Sequence, residues 1–454
     1  MKKTRKAVSM ILSLILCLTV GCGTGESEKS AEKQGKEGLT LYVDAQSELL
    51  IQYAMGDIEK TAIEPIHWNL VDLRNLTPEE FQKKLYKDLE AGKGPDVIFI
   101  NPDTCPDPYL AMQKGYFMDL TEAIEQFEGH EDTIVPDLLE EGSYQGVPYL
   151  LTAGYVLPIY LGKETVLEST GFELEKSSTL PEFFEQANES KETDYFFDQK
   201  GELEKAIRQY AGSWLIDYEN KTVGLDEEWE KLCRLYQKLY EMDQSTPEYE
   251  REFFSGFRRL NDGNALLTAS IEENLNYFVA DIRAVDYKDT PVLVPLQTQK
   301  GTIAGEITSS FGINVNTKKK EEAYQFVHEL LHIIRPSVIY GQQEGNRWTQ
   351  VYTFVIAQIT LDECFEMVAQ GGVPLAPFNV DDPEAYDYYN RYLELLYWPM
   401  EASFETVVTK DGGIIEECME PFFAGEESYE SCAETLKTKL EEYLTMSQKE
   451  GKGA

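Results

Sequence analysis

Apolar residues follow two rhythms along this chain. Short runs rich in β-branched and aromatic residues, LTLYV (39–43), PDVIFI (95–100), ALLTAS (265–270) and ITSSFGINVN (307–316), predict strands. Between them, apolar positions recur every three or four residues, which predicts helices. Thr77-Pro78-Glu79-Glu80 is a strong helix start, with Thr as N-cap, Pro at the first helical position and Glu placed to close a capping box. The helix predicted over 81–90 stops at Gly92-Lys93-Gly94, and PDVIFI follows at once. An unbroken apolar run in that place reads as a parallel strand buried on both faces. Helix followed by buried strand is the grammar of an open α/β sheet. Ligands of such sheets sit beyond the carboxyl ends of the strands, here at Asp44–Gln46 and Asn101–Asp103.

The segment GSYQGVPYLLTAGYVLPIYLGK (142–163) is rich in turn residues and tyrosines and reads as a crossing between lobes rather than one element. An acidic, largely helical region runs on to about Lys300 and contains Trp214 and Trp229. A helix is predicted from Lys318 to Ile334, with Pro336 shortly after it. The last helix places Tyr429, Cys432, Leu436, Leu440, Tyr443 and Leu444 on one face.

The first 22 residues form a separate object. Lys2, Lys3, Arg5 and Lys6 precede an apolar stretch, Ala7–Val20, which has the length of a secretory signal and is short for a membrane span. It ends in Thr19-Val20-Gly21-Cys22, which resembles a bacterial lipobox, although Leu18 stands one place further from the cysteine than usual. The resemblance implies cleavage before Cys22 and a lipid on its thiol. Residues 22–38 are polar and Gly/Ser/Glu/Lys-rich and read as a flexible tether.

Charge narrows the function classes. The 454 residues carry 41 Lys+Arg against 81 Asp+Glu, a formal net charge of −40. Removing residues 1–21 takes away four positive charges and no negative ones, which leaves −44. Such a chain repels nucleic acid and has no basic surface for anionic lipid, so membrane attachment would fall to the lipid on Cys22. No basic cluster is evident near the proposed ligand loops, which argues against an anionic solute such as a sugar phosphate. The cysteines of the body, Cys105, Cys233, Cys364, Cys418 and Cys432, are widely spaced. They read as buried free thiols, with a Cys418–Cys432 bridge as the alternative.

Several stretches, in order, resemble the extracellular solute-binding proteins of ABC importers, the sugar-binding type related to maltose-binding protein. They are GKGPDVIFIN (92–101), KGYFMDLTEAI (114–124), SYQGVPYLLTAGYVLPIYLGK (143–163), WLIDYEN (214–220), ALLTASIE (265–272), FGINVNTKKKEEAYQFVHELL (311–331) and PFFAGEESYESCAETLKTKLEEYL (421–444). The resemblance implies a type II periplasmic-binding-protein-like fold: two lobes, each an open α/β sheet, joined by a hinge. It implies lobe 1 from 39–152 plus 303–345, lobe 2 from 153–302 plus 346–445, and a tail at 446–454. It further implies a monomer on the outer face of a bacterial membrane that captures a mono- or oligosaccharide, or a similar polar solute, for an ABC-transporter permease, with no cofactor and no chemistry of its own. Ligand contacts carried over by position are Asp44, Asn101, Asp103, Tyr155 and Glu272, with Trp214 and Trp398 as candidate stacking faces. Glu272 stands where the family often has an aromatic platform. Tyr160-Leu161-Gly162-Lys163 lacks the Asn of the family's Tyr-Asn-Lys.

One complete catalytic motif competes. His328-Glu329-Leu330-Leu331-His332 fits H-E-x-x-H, which in zinc peptidases sets two ligands one helical turn apart with Glu as general base. At about 100° per residue, Ala323, Val327, Leu330 and Ile334 define the buried face, and both histidines fall roughly 130° to 170° from its middle. That orientation argues against a sheltered metal site. A secreted glycoside hydrolase is a further alternative, but paired carboxylates carry no information in so acidic a chain. GxSxG, Walker A and dinucleotide motifs are absent.

Overall fold

The computed structural model describes residues 38–45, 51, 55, 66–126, 136–156, 159–173, 179–189, 194–197, 200–212, 215–246, 264–268, 289–295, 297–298, 300–333 and 400–450. The signal segment, Cys22 and the tether lie outside them, as do Cys364, Trp214, Glu272 and Trp398.

In chain order the strands are β1 (Leu39–Val43), β2 (Trp68–Asp72), β3 (Val97–Ile100), β4 (Ser143–Tyr144), β5 (Val147–Pro148), β6 (Leu150–Val156), β7 (Ile159–Lys163), β8 (Tyr195–Phe197), β9 (Ile216–Asp217), β10 (Thr222–Val223), β11 (Ala265–Leu267), β12 (Pro291–Pro295), β13 (Ile303–Ile313) and β14 (Met400–Phe404). The first sheet has the order β14-β13-β3-β1-β2, with β6 also paired to β13. The second has the order β12-β7-β11-β8. β1 runs parallel to both β2 and β3, so the carboxyl ends of β1 and β3 lie side by side.

Each sheet has its own core. In the first, Leu41, Val97, Phe99 and Phe311 pack against Phe326, Val327 and Leu330 of the helix Lys320–Ile333. In the second, Tyr160, Phe183, Phe197, Trp229 and Tyr236 meet the helices Ile414–Phe423 and Tyr429–Glu450. The molecule is two-lobed for this reason. The predicted face of the last helix is buried throughout, with Leu436 and Leu440 fully so. The capping box at Thr77 is formed, Thr77 Oγ1 accepting from the Glu80 amide (3.3 Å) and Glu80 Oε2 from the Thr77 amide (3.1 Å). Cys105, Cys233, Cys418 and Cys432 are free and buried. Among the described residues no helix is long and apolar enough to cross a membrane.

The chain passes between the sheets where 142–163 was read as a crossing: β6 pairs with β13 in the first sheet, and β7 with β11 and β12 in the second. A second passage is the tight turn from β12 to β13, closed by the Thr298 amide on the Thr302 carbonyl (2.6 Å) and by Gly301 in the left-handed region (φ 78°). A third follows β14, since Val408 already belongs to the second core.

β13 carries this arrangement. Its first half, Ile303–Ile307, pairs with β14, and its second half lies between β3 and β6. Gly312 sits where that second half is most crowded. A Cβ there would fall 2.7 Å from Phe117 Cδ1 and 2.8 Å from Leu150 Cδ2. Gly312→Ala is therefore expected to cost about 2 kcal/mol through overpacking, read as a lower denaturation midpoint with an unchanged m-value.

The second core also holds two buried carboxyls. Burial, then the nearby Glu416, pushes Glu204 up to about 7, and burial pushes Asp243 up to about 6 against the hydrogen bond from Tyr236 (2.9 Å). Among the described residues Glu204 Oε1 has no hydrogen-bond partner. Raised carboxyls bind protons more tightly folded than unfolded, so their contribution is full at low pH and is lost as pH rises through about 6 to 7. Thermal melts should show Glu204→Gln stabilising the protein at pH 8, by on the order of 1 kcal/mol, and leaving it unchanged at pH 4.

Candidate functional site

The loops at the ends of β1 and β3 supply the first wall of the candidate site. Asp44 follows β1 and is 9% exposed. After β3, Asn101 Oδ1 accepts from the amides of Asp103 and Thr104 (2.9 Å each), while Thr104 Oγ1 accepts from the Asn101 amide (3.0 Å). This Asx turn folds the loop back on itself and fixes the Asp103 backbone. Gln82 Nε2 reinforces it by donating to the Asp103 carbonyl (2.7 Å). Burial, then the charge of Asp44, raises the carboxyl of half-buried Asp103 above its ordinary range. Asp44, Asn101 and Asp103 thus come together, as the parallel strand ends predict. Asn101 acts there first as the turn former.

Near this corner, where the charge of Asp103 reaches Glu405, lies a cavity of about 340 Å³. Lys205, Arg208 and Gln209 of the helix Glu202–Gly212 line one side, and Gly305 and Glu306 of β13 with Ser403, Phe404 and Glu405 form its floor. A smaller recess, lined by Asn101, Pro102, Cys105 and Thr308, shares Phe404 and Glu405 with it. Phe404 and Glu405 thus lie between the β3 loop and the helix Glu202–Gly212 and border the cleft on that helix's side. Its lining is largely polar and charged, suited to hydrogen bonding.

The floor is held from behind. Tyr109 Oη accepts from the Phe404 amide (3.2 Å), and its ring meets Phe404 edge-on at 5.5 Å and stacks on Tyr218 at 4.1 Å. Tyr443 Oη donates to Asp107 (2.6 Å), and Gln113 Nε2 to the Tyr218 carbonyl (2.7 Å). Burial raises the carboxyl of Glu405, with Arg208, Lys205 and Lys410 pulling it back and Asp103 adding to the rise.

The bases on the second wall correct one sequence expectation. Lys205 and Arg208 stand at the cleft although nothing near the strand-end loops announces them. They come from the polar side of a helix some hundred residues further along the chain. The i, i+3 spacing of Lys205 and Arg208, which puts two bases on one helix face in a chain so rich in acids, is the signal that was available. Glu306, Ser403, Glu405 and Thr409 were also unanticipated. Tyr155 lies on β6, half-buried beside the crossing and away from the cavity lining. Trp214, Glu272 and Trp398 fall outside the described residues.

The H-E-x-x-H helix buries Ala323, Val327 and Leu330, and His328 is half-buried. Glu329 is 7% exposed. Among the described residues no three His, Cys, Asp or Glu side chains gather to hold a metal.

No protein-family model and no curated protein matches the chain. Solved structures do match its fold. A protein described as an oligosaccharide periplasmic-binding protein from Synechococcus sp. MITs9220, in complex with zinc, is similar over 90% of this chain and 99% of its own, with a TM-score of 0.59 and 15% identity. An ABC-transporter-associated binding protein from B. animalis subsp. lactis Bl-04, in complex with β-1,6-galactobiose, is similar over 92% and 99%, with a TM-score of 0.53 and 16% identity. An ABC transporter solute-binding protein from Thermotoga lettingae TMO, bound with α-D-tagatose, is similar over 90% and 100%, with a TM-score of 0.52 and 15% identity. The chain therefore has the two-lobed fold of the solute-binding proteins that serve ABC transporters.

Proposed function

We propose that this chain is a lipid-anchored, extracytoplasmic solute-binding protein that captures a carbohydrate, or a similar small polar solute, between its lobes and passes it to an ABC-transporter permease. The observation that carries this reading is the polar cavity between the helix Glu202–Gly212 and the β13–β14 floor, with Lys205 and Arg208 on its wall, Glu405 on the floor and Asp103 close enough to raise the Glu405 carboxyl. Carboxylates accept from sugar hydroxyls, and ammonium and guanidinium groups donate to them, in charge-assisted bonds stronger than neutral ones. The saccharides held by two of the structural relatives support the same class. Lobe 1 is proposed as 39–152 plus 303–345 and lobe 2 as 153–302 plus 346–445, with the end of β6 and all of β14 paired into the first sheet as crossing strands. A solute touching both lobes favours the closed form by its differential affinity, and closure about the crossing strands presents one shape to the permease.

A thermal-shift screen against mono- and oligosaccharides, including D-tagatose and β-1,6-galactobiose, tests the solute class. A true ligand at a hundredfold excess over its Kd should stabilise the protein by about 2.7 kcal/mol, and Asp103→Ala should abolish the shift. A shift by amino acids or peptides and by no saccharide would contradict the carbohydrate assignment. The anchor has its own test: Cys22→Ala should move the protein from the membrane fraction to the medium, and its retention on membranes would contradict lipidation.

A further inference from the structure

Arg208 is the best-placed donor in the cleft. It is 9% exposed, lines the cavity, and projects from a helix packed into the second core. Its Nη1 donates to Glu416 Oε2 (3.0 Å) and its Nη2 to Asp411 Oδ1 (3.4 Å). These partners differ in weight. The Asp411 side chain is 94% exposed, so solvent screens it. The Glu416 side chain is 27% exposed and doubly fixed. Glu416 Oε2 also accepts the Gly412 amide (2.9 Å), and the residue lies in the first turn of the helix Ile414–Phe423, where the helix dipole favours a negative charge. Glu204, one turn before Arg208, is pushed up to about 7 and adds little counter-charge below that pH. Glu416 is thus the fixed anion that neutralises Arg208.

A guanidinium carries more N–H donors than these two carboxylates use. The cleft consequently offers donors whose charge is already balanced, beside Glu306 and Glu405 as acceptors. A sugar hydroxyl satisfies both kinds of group, accepting from Arg208 and donating to a carboxylate, without changing the net charge. A ligand carboxylate would have to compete with Glu416 for the guanidinium and would meet Glu306, Glu405 and Asp411 as like charges against the one ammonium of Lys205.

We propose that Arg208 is a principal hydrogen-bond donor to the solute and that Glu416, by holding and neutralising it, sets the cleft's charge selectivity in favour of a neutral polyhydroxylated ligand over its carboxylate-bearing counterpart. The proposal rests on the solute-binding reading above. Arg208 touches ligand in this account, and Glu416 is a positioning residue.

Calorimetric titration with neutral sugars and their matching uronates tests it: D-glucose with D-glucuronate and D-galactose with D-galacturonate, together with D-tagatose and β-1,6-galactobiose. The wild type should bind its best neutral sugar at least about tenfold more tightly than the uronates, the order expected when hydrogen bonds to a charged group are at stake. Arg208→Gln should weaken that sugar at least about tenfold, with partial rescue in Arg208→Lys. Glu416→Gln, which frees the guanidinium charge, should narrow the neutral-to-uronate ratio, a change that simple loss of packing would not produce. Circular dichroism melts identify which variants are folded, and Glu416→Gln carries the test if Arg208→Gln does not fold. Uronates bound as tightly as neutral sugars by the wild type, a folded Arg208→Gln with unchanged affinity, or an unmoved ratio in Glu416→Gln would each overturn the proposal. Saccharide binding without these dependences defeats this inference alone. Absence of binding by every saccharide defeats the carbohydrate assignment beneath it as well.

Discussion

Everything in the body turns on the pairing of one strand. β13 gives its second half to β3 and β6 and its first half to β14, so one backbone ladder joins segments from three distant parts of the sequence. Backbone amides and carbonyls in that buried position must be paired, which leaves little freedom for the strands to separate. The seam lies within the first sheet, at the strands that lead into and out of the second. The same seam forms the cleft floor, because Gly305 and Glu306 of β13 lie beside Ser403 and Phe404 of β14. In the proposed function the hinge strands and the binding floor are neighbours, so solute contact and lobe movement would be linked.

The walls are arranged by the cores behind them. β1 and β3 are parallel neighbours and must end together, which brings Asp44 and Asp103 to one corner. The helix Glu202–Gly212 is held by the second core through Leu203, Ile207 and Tyr210, so its polar side faces the cleft with Arg208 already in place. Tyr109 braces Phe404 from below, and Tyr218 and Tyr443 continue that brace into the second lobe. The charges are opposed and largely balanced locally, even though the chain as a whole carries −40. Net charge sets the long-range field of the protein, and the side chains of the cleft set the local one.

Much of the architecture was legible because it is local. The Thr77 cap, the buried run PDVIFI and the face of the last helix each follow from spacing within a dozen residues. The crossing at 142–163 was legible from its prolines and glycines. β2 and β14 were not, since Trp68–Asp72 is half-exposed and Met400–Phe404 acquires its role only by pairing with β13. The site divided along the same line. Asp44, Asn101 and Asp103 follow from a rule about strand ends, whereas Arg208 and Glu405 reach the cleft through long-range packing that no local pattern encodes. Asn101 was found for its position, and its amide proved to build the loop that presents Asp103.

The central claim is that a solute bridging the two walls changes the angle between lobes about the crossing strands. Small-angle X-ray scattering of the mature chain, with and without the saccharide it binds, measures this most directly. The account predicts a smaller radius of gyration in the saturated protein, reversed when the sugar is dialysed away. Superimposable scattering curves at proven saturation would contradict it.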